Sequence, residues 1–402
     1  MPEAKRDPGA QRLLTPGFVK LLVAQACFGY AFSNYFLLPK FLVTELGAGP
    51  AEIGQVTAWF GLFVVIFLPA MGVLVDRFGR RDFLTVGALL MAAASLAFAT
   101  VDRVGTLLYL LRAAQGVAFA MAYVAGATLA VDEAPPERLG QAMGLFGLTF
   151  LAMNAVAPAA SEEIAVRAGW PATFLIAALF ALVSAGLSRR LRDRRPPPVR
   201  GAPATGLLEM ALRPRQLRVT AAIALVGVAL GAMFTFHQPF ALELGMTHVR
   251  SFFVAYAIAA VVMRVGFGGL IDRAGRRRIV LVTLALYGVV VAGMSGLEPG
   301  WLGLYGAGLG IAHGLFYPAY NALVVEGMGA HERGKLIGLF QAGFNLGSSC
   351  GTFALGELAE RAGYPAVFWV AAGCLLGAWL IVFASPEGRR RPIFPARGDG
   401  PE

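Results

Sequence analysis

Scattered through the apolar runs of this 402-residue chain are side chains that could bind a solute or carry a proton. Arg112 and Gln115, within Arg-Ala-Ala-Gln-Gly, stand at i and i+3 and share one helix face. The guanidinium there could hold an anion, set the protonation of a nearby acid, or reach lipid headgroups. His313, Tyr317 and Asn321 follow at i, i+4 and i+8 and form one polar stripe on an otherwise apolar helix. With an unperturbed pKa of about 6.5 the imidazole could exchange a proton, or equally satisfy a neighbouring carbonyl. Tyr30 and Asn34, at i and i+4, and the isolated Asn154 and Asn345 are further candidates; His237 and Gln238 suit an entrance. Arg264 either pairs through an intermediate with Asp272, two turns on, or lines a cavity. An ionisable group in the middle of a membrane span costs on the order of 3 kcal/mol, so each needs a reason, and interhelical hydrogen bonding is the structural alternative for the neutral ones.

A second kind of chemistry is concentrated in two charged knots, GVLVDRFGRRD at 72–82 and GLIDRAGRRR at 269–278. Gly72 and Gly268 lie four residues before Asp76 and Asp272, one helical turn back, where a missing side chain lets another helix approach. Gly79 and Gly275 permit the chain to turn. The two Asp need cations or a helix N-terminus, and Arg77, Arg80, Arg81, Arg273, Arg276 and Arg277 need acids. Asp132 and Glu326, 194 residues apart, are the candidates.

The elements that must carry these groups are transmembrane helices. The chain is 57% hydrophobic and only 14% charged, against about 25% charged in soluble domains, and its mean hydropathy is +0.66. Twelve apolar stretches are long enough to cross a hydrocarbon core, and none alternates as a barrel strand would. The net charge of +10 does not imply nucleic acid. With both termini cytoplasmic, 26 of the 34 Lys and Arg fall on the cytoplasmic side, as the positive-inside rule requires. Cys27, Cys350 and Cys374 lie in apolar segments at unrelated spacings and suggest neither disulfide nor metal site; no removable signal peptide is expected at the start of the chain.

The knots belong to an internal repeat. Glu45-Leu46-Gly47 returns as Glu243-Leu244-Gly245, and Arg167-Ala168-Gly169-Trp170-Pro171 as Arg361-Ala362-Gly363-Tyr364-Pro365. The expected organisation is a cytoplasmic tail (1–17), a six-helix bundle (18–188), a basic, proline-containing cytoplasmic linker (189–218), a second six-helix bundle (219–384) and a cytoplasmic tail (385–402). Parallel repeats of this kind place a substrate route between them.

At this point the sequence resembles the major facilitator superfamily of secondary transporters. The family's loop signature, Gly-x-x-x-Asp-Arg-x-Gly-Arg-Arg, stands at Gly72, Asp76, Arg77, Gly79, Arg80 and Arg81, with its echo at Gly268, Asp272, Arg273, Gly275, Arg276 and Arg277. The resemblance implies an all-α integral membrane fold of twelve helices in two parallel repeats, multi-pass in the inner (plasma) membrane. It also implies a charge network at the cytoplasmic mouth, Arg80 near Asp132 and its counterpart near Glu326, that holds the halves together while the outer side is open. Arg112 to Gly116 looks like the fourth-helix motif associated with proton coupling in exporters. Helix five departs from the exporters' Gly-Pro motif, since Pro158 follows Ala157. The expectation is a monomeric transporter of a small organic solute, coupled to protons, in contact with lipid, without nucleic acid or cofactor. Efflux leads, uptake of a sugar or organic acid follows closely, and a non-transporting sensor is less supported. A membrane enzyme has no clustered nucleophile, base or metal set to build on. Asp76→Asn is expected to leave the protein in the membrane and to slow transport strongly; normal transport by an inserted variant would remove the gating role.

Overall fold

Proline and glycine set where the helices begin and end. Proline occupies the first turn of the segments beginning at Pro16, Pro50 and Pro214, where its missing N–H has no intrahelical acceptor to serve. The computed structural model describes residues 13–135, 138–192, 207–269, 273–326 and 330–385; positions 69, 72–73, 76, 207–208 and 330–335 are described by backbone alone. The first half of the chain contains α1 (Pro16–Ser33), α2 (Leu38–Thr44), α3 (Pro50–Phe78), α4 (Arg80–Phe98), α5 (Thr106–Glu133), α6 (Leu139–Ala168) and α7 (Trp170–Ser188). The second half contains a short α8 (Leu207–Leu212), then α9 (Pro214–Glu243), α10 (Arg250–Phe267), α11 (Arg276–Gly293), α12 (Leu302–Val324) and α13 (Ala330–Ala384). Of the described residues, 88% are helical.

Among the described residues, ten helical stretches are long and apolar enough to cross a membrane by composition alone. Two features bring the number of spans to twelve. α13 is two helices run together through Gly363, whose φ of 77° interrupts the helical path and leaves arms 330–362 and 364–384. α12 has 23 residues, enough to span, but His313, Tyr317 and Asn321 dilute its hydropathy. The first span is also broken: α1 and α2 are joined by a 3-10 turn, Asn34–Leu37, just before Pro39.

The internal repeat is visible in the backbone. Among the described residues the glycines with positive φ include three matched pairs, Gly47 with Gly245, Gly79 with Gly275, and Gly169 with Gly363. Gly79 and Gly275 are the turns of the two knots, at φ 104° and 88°.

Close packing of α12 on α10 uses one face of small residues. A Cβ on Gly306 would run into the Phe252 carbonyl, on Gly310 into the Tyr256 carbonyl, and on Gly314 into the Ala260 backbone, so the two helices step past each other four residues at a time. Gly310→Val is therefore expected to destabilise the protein by about 1–3 kcal/mol through overpacking. The check is the melting temperature of the detergent-solubilised protein, which should fall by several degrees. Gly373→Ala, where an added Cβ meets nothing within 4 Å, should leave it unchanged.

Candidate functional site

One end of the helix bundle is locked by a buried ion pair. Lys40, in α2, donates from Nζ to Glu162 of α6 at 2.5 Å and to the Thr247 carbonyl at 2.6 Å; both side chains are buried. The two Glu162 oxygens also accept the backbone N–H groups of Val249 and Arg250, each at 2.8 Å. Val249 is the N-cap of α10 and Arg250 its first residue, so a first-half carboxylate caps a second-half helix and meets the positive end of its dipole. Alongside, Arg250 pairs with Glu163 at 2.7 Å.

Gln238 adds a second bridge at the break in the first span. Its Nε2 donates to the Phe36 carbonyl at 2.6 Å and its Oε1 accepts the Lys40 N–H at 3.3 Å. Phe36 and Lys40 are the i and i+4 partners that an unbroken helix would join directly, so the amide is inserted into the helical ladder. Further along the seam, Gly54 of α3 and Gly356 of α13 touch backbone to backbone: a Cβ on Gly54 would lie 2.9 Å from the Gly356 Cα. Among the described residues, every hydrogen bond and ion pair joining the two halves lies at this end. Towards the opposite, basic end, a Cβ on Gly140, Gly144 and Gly147 of α6 or on Gly338 of α13 would meet nothing within 4 Å.

Beneath the locked end lies a cavity of about 280 Å³ between the halves. Arg112 reaches its wall from α5 because Gly116, one turn on, lets that helix press against the Phe60 carbonyl of α3. The guanidinium is buried, donates from Nε to the Val56 carbonyl at 3.4 Å and from Nη1 to Gln115 Oε1 at 2.7 Å, and stacks 4.8 Å above the Phe60 ring. Across the cavity the His313 Nδ1 pairs with the Tyr256 hydroxyl at 2.9 Å, and Tyr317 donates to Gln341. Asn154 accepts from Ser33 at 2.8 Å, and Asn345 donates to the Gln341 carbonyl at 2.8 Å.

Five of the ten residues expected along a pathway thus line one cavity: Arg112, Asn154, His313, Tyr317 and Asn345. Gln115 is buried behind Arg112 and orients it. Arg264 and Asn321 are not part of the wall; the Arg264 Nε is buried without a hydrogen-bond partner among the described residues. Tyr30 and Asn34 are not part of the cavity wall and have partners within the first half. Tyr30 stacks on Phe180 at 4.1 Å, and Asn34 accepts from Ser161 at 2.5 Å. His237 is corrected from an entrance: it is fully buried, stacked 3.9 Å from Phe252, with Nδ1 on the Met233 carbonyl.

The major facilitator superfamily model matches residues 21–335 and 252–400. The chain belongs to the major facilitator superfamily. Its twelve-helix fold is that of solved superfamily transporters: a nucleoside transporter NupG variant (TM-score 0.78, 14% identity, 91% of this chain and 99% of that one), and a peptide transporter POT variant in complex with sulfate (TM-score 0.76, 14% identity, 92% and 94%). Curated relatives include multidrug resistance protein MdtG of Citrobacter koseri, 26% identical over 91% of this chain and 94% of that one. Another is the multi-drug resistance efflux pump PmrA of Streptococcus pneumoniae, 25% identical over 83% and 86%.

The superfamily's signature knots sit at the basic end. Arg80, at the start of α4, pairs with Asp132 of α5, and Arg276, at the start of α11, lies 3.7 Å from Glu326 beyond α12; each pair stays within its own half. Of the other knot arginines, Arg81 also faces an acid, whereas Arg77 and Arg277 do not. Arg81 pairs with the adjacent Asp82 at 3.0 Å, Arg77 lies over Phe78, and Arg277 donates to the Phe383 carbonyl at 2.5 Å. Arg277 therefore serves the unpaired carbonyls where α13 ends, a favourable position for a cation. Gly72 and Asp76 are described by backbone alone, and Asp272 lies outside the described residues; Gly268 ends α10, and Arg273 follows directly after the undescribed stretch.

Sequence reading missed Lys40, Glu162 and the locking role of Gln238, as well as the cavity's aromatic wall of Phe32, Phe36, Phe60, Phe119, Phe234 and Phe344. The available signal for Glu162 was an acid just past Pro158, where the exporters' helix-five motif breaks off. Glu162→Gln should strip Lys40 of its counter-charge and weaken the lock; breaking one partner of a buried pair costs about 3–5 kcal/mol. A cysteine placed at Thr352, in the cavity wall, should then be labelled several-fold faster by a membrane-impermeant maleimide added from the locked side. An unchanged rate would show that the pair does not hold this end shut.

Proposed function

We propose that the chain exports a small organic solute across the cytoplasmic membrane by alternating access, in exchange for protons. The observation that carries this reading is a solute-sized cavity between the halves, bounded at one end by bonds between them and free of such bonds among the described residues at the other. In this reading, 18–188 and 219–384 are two six-helix bundles joined by a cytoplasmic linker at 189–218. The tails 1–17 and 385–402 and the basic loops face the cytoplasm. The conformation described is then inward-open, with Lys40, Glu162 and Gln238 forming the outer gate.

Rocking the bundles about the cavity would break the outer gate and bring the two knots together. Arg80 with Asp132 and Arg276 with Glu326 would shape the surfaces that then meet, alongside Gly72, Asp76, Gly79, Gly268, Asp272, Arg273 and Gly275. Within the cavity, Arg112 would anchor the solute, while His313, paired with Tyr256, is the titratable group placed to follow protons. Export rather than uptake is supported by the names of the curated relatives, a multidrug resistance protein and an efflux pump. The protein works in this reading as a monomer surrounded by lipid.

Everted membrane vesicles test the reading. With respiration holding their interior acidic, one of two probe solutes, the anion 1-naphthoate or the cation ethidium, should discharge part of the gradient, read as recovery of acridine orange fluorescence, only when the chain is present. Solute accumulation that persists after nigericin collapses the gradient would remove proton coupling. Accumulation seen only in right-side-out vesicles would reverse the direction.

A further inference from the structure

On the Arg112 side of the cavity several polar groups lack a hydrogen-bond partner among the described residues. Arg112 is the cation of the wall, which contains no Asp or Glu, and no carboxylate among the described residues pairs with it. Two of its nitrogens are engaged, with the Val56 carbonyl and Gln115; Nη2 has no hydrogen-bond partner among the described residues. Around it the hydroxyls of Thr57 and Ser349 are buried and have no hydrogen-bond partner among the described residues. Ser349 approaches from α13 and presses its hydroxyl against Gly61 of α3, so the cluster draws on both halves. A buried guanidinium without a counter-charge is costly, as is each buried donor without an acceptor. An arriving group that carries negative charge and several lone pairs relieves both, and a carboxylate fits because a guanidinium can hold it through two parallel bonds.

Next to this polar pocket the wall is aromatic. Phe60, under the guanidinium, lies 5.7 Å from Phe119 and 5.6 Å from Phe32; Phe32 continues to Phe36 at 5.3 Å, and Phe36 to Phe234 at 5.2 Å. The rings form one connected cluster, tilted or edge-to-face to one another, that offers both ring faces and ring edges to a flat apolar body. Beyond them, towards the basic end, Arg264 adds positive potential, its charge reaching Tyr256, Tyr317 and His313. An anion entering from that end therefore meets favourable potential before it arrives at Arg112.

We infer that the cavity takes an aromatic organic anion of one or two fused rings, its carboxylate held by Arg112 with Thr57 and Ser349 and its ring on the Phe32, Phe60 and Phe119 surface. This names the cargo class for the proposed transporter and rests on that reading for movement, though not for binding. Cationic and neutral compounds of the same shape are disfavoured, since they leave the guanidinium bare.

The probes are 1-naphthoate, 1-naphthamide and 1-naphthylmethylammonium, titrated against the purified full-length chain in nanodiscs by calorimetry. Naphthoate should bind at least tenfold more tightly than the amide or the cation. Arg112→Gln should erase that difference by weakening naphthoate alone. Ser349→Ala, which leaves the charge in place and supplies a milder variant if Arg112→Gln fails to fold, should weaken naphthoate several-fold and spare the amide. Equal affinity for acid and amide, tightest binding of the cation, or discrimination surviving both substitutions would overturn the inference. Counterflow in proteoliposomes separates the two readings. Selective naphthoate binding without counterflow supports the anion site and removes transport, whereas counterflow of the amide or cation without the acid supports transport and removes the anion site.

Discussion

A carboxylate buried between membrane helices has to be neutralised and hydrogen-bonded at once, and Glu162 achieves this only by drawing on both halves of the chain. Its charge is met by Lys40 from its own half, and its lone pairs are filled by the N–H groups of the N-cap and first residue of α10 from the other. Neither partner alone suffices. Lys40 leaves oxygen lone pairs open, and a helix N-terminus supplies only a partial charge of about one half. The lock is therefore a property of the assembled halves, and the bridge of Gln238 and the backbone contact of Gly54 with Gly356 follow from the approach it enforces.

The basic end is built on a different principle. The ion pairs described there, Arg80 with Asp132 and Arg276 with Glu326, each join two residues of the same half, so these contacts do not depend on the halves meeting. Interactions that complete themselves locally do not tie two bodies together; interactions that need a group from each body do. Among the described residues, bonds between the halves are therefore found at one end of the cavity and not at the other. The bond across the first span at Pro39 belongs to the same logic, since a helix with an intact ladder has no free N–H or carbonyl to offer Gln238.

The cavity between these ends combines one strong charge with a ring of aromatic side chains. Arg112 is affordable there because π density, a carbonyl and Gln115 each take a share of its field. None of them carries a negative charge, so the site is complementary to something it does not itself contain. Gly116 is what allows this geometry: a side chain at that position would push α5 away from α3 and withdraw the guanidinium from the cavity wall.

Much of this architecture is legible in the linear chain because it depends on local patterns. Spans follow from apolar length, the knots from charge set against that length, the repeat from matched motifs whose glycines share positive φ, and the α12 packing face from glycines four residues apart. Even the polar stripe of α12, which dilutes its hydropathy, announces itself by spacing, and two of its three members reach the cavity. The sequence alone thus determined the elements, their repeat and a set of polar groups that needed partners. Which partners they found was decided only by tertiary structure. Tyr30 and Asn34 have the same helical spacing as His313 and Tyr317, yet one pair is consumed by packing and the other lines the cavity. Lys40 lies 122 residues from Glu162, and Glu162 lies 87 from Val249. Burial and hydrogen bonding depend on what the third dimension brings alongside, and periodicity along one helix carries no information about its neighbours.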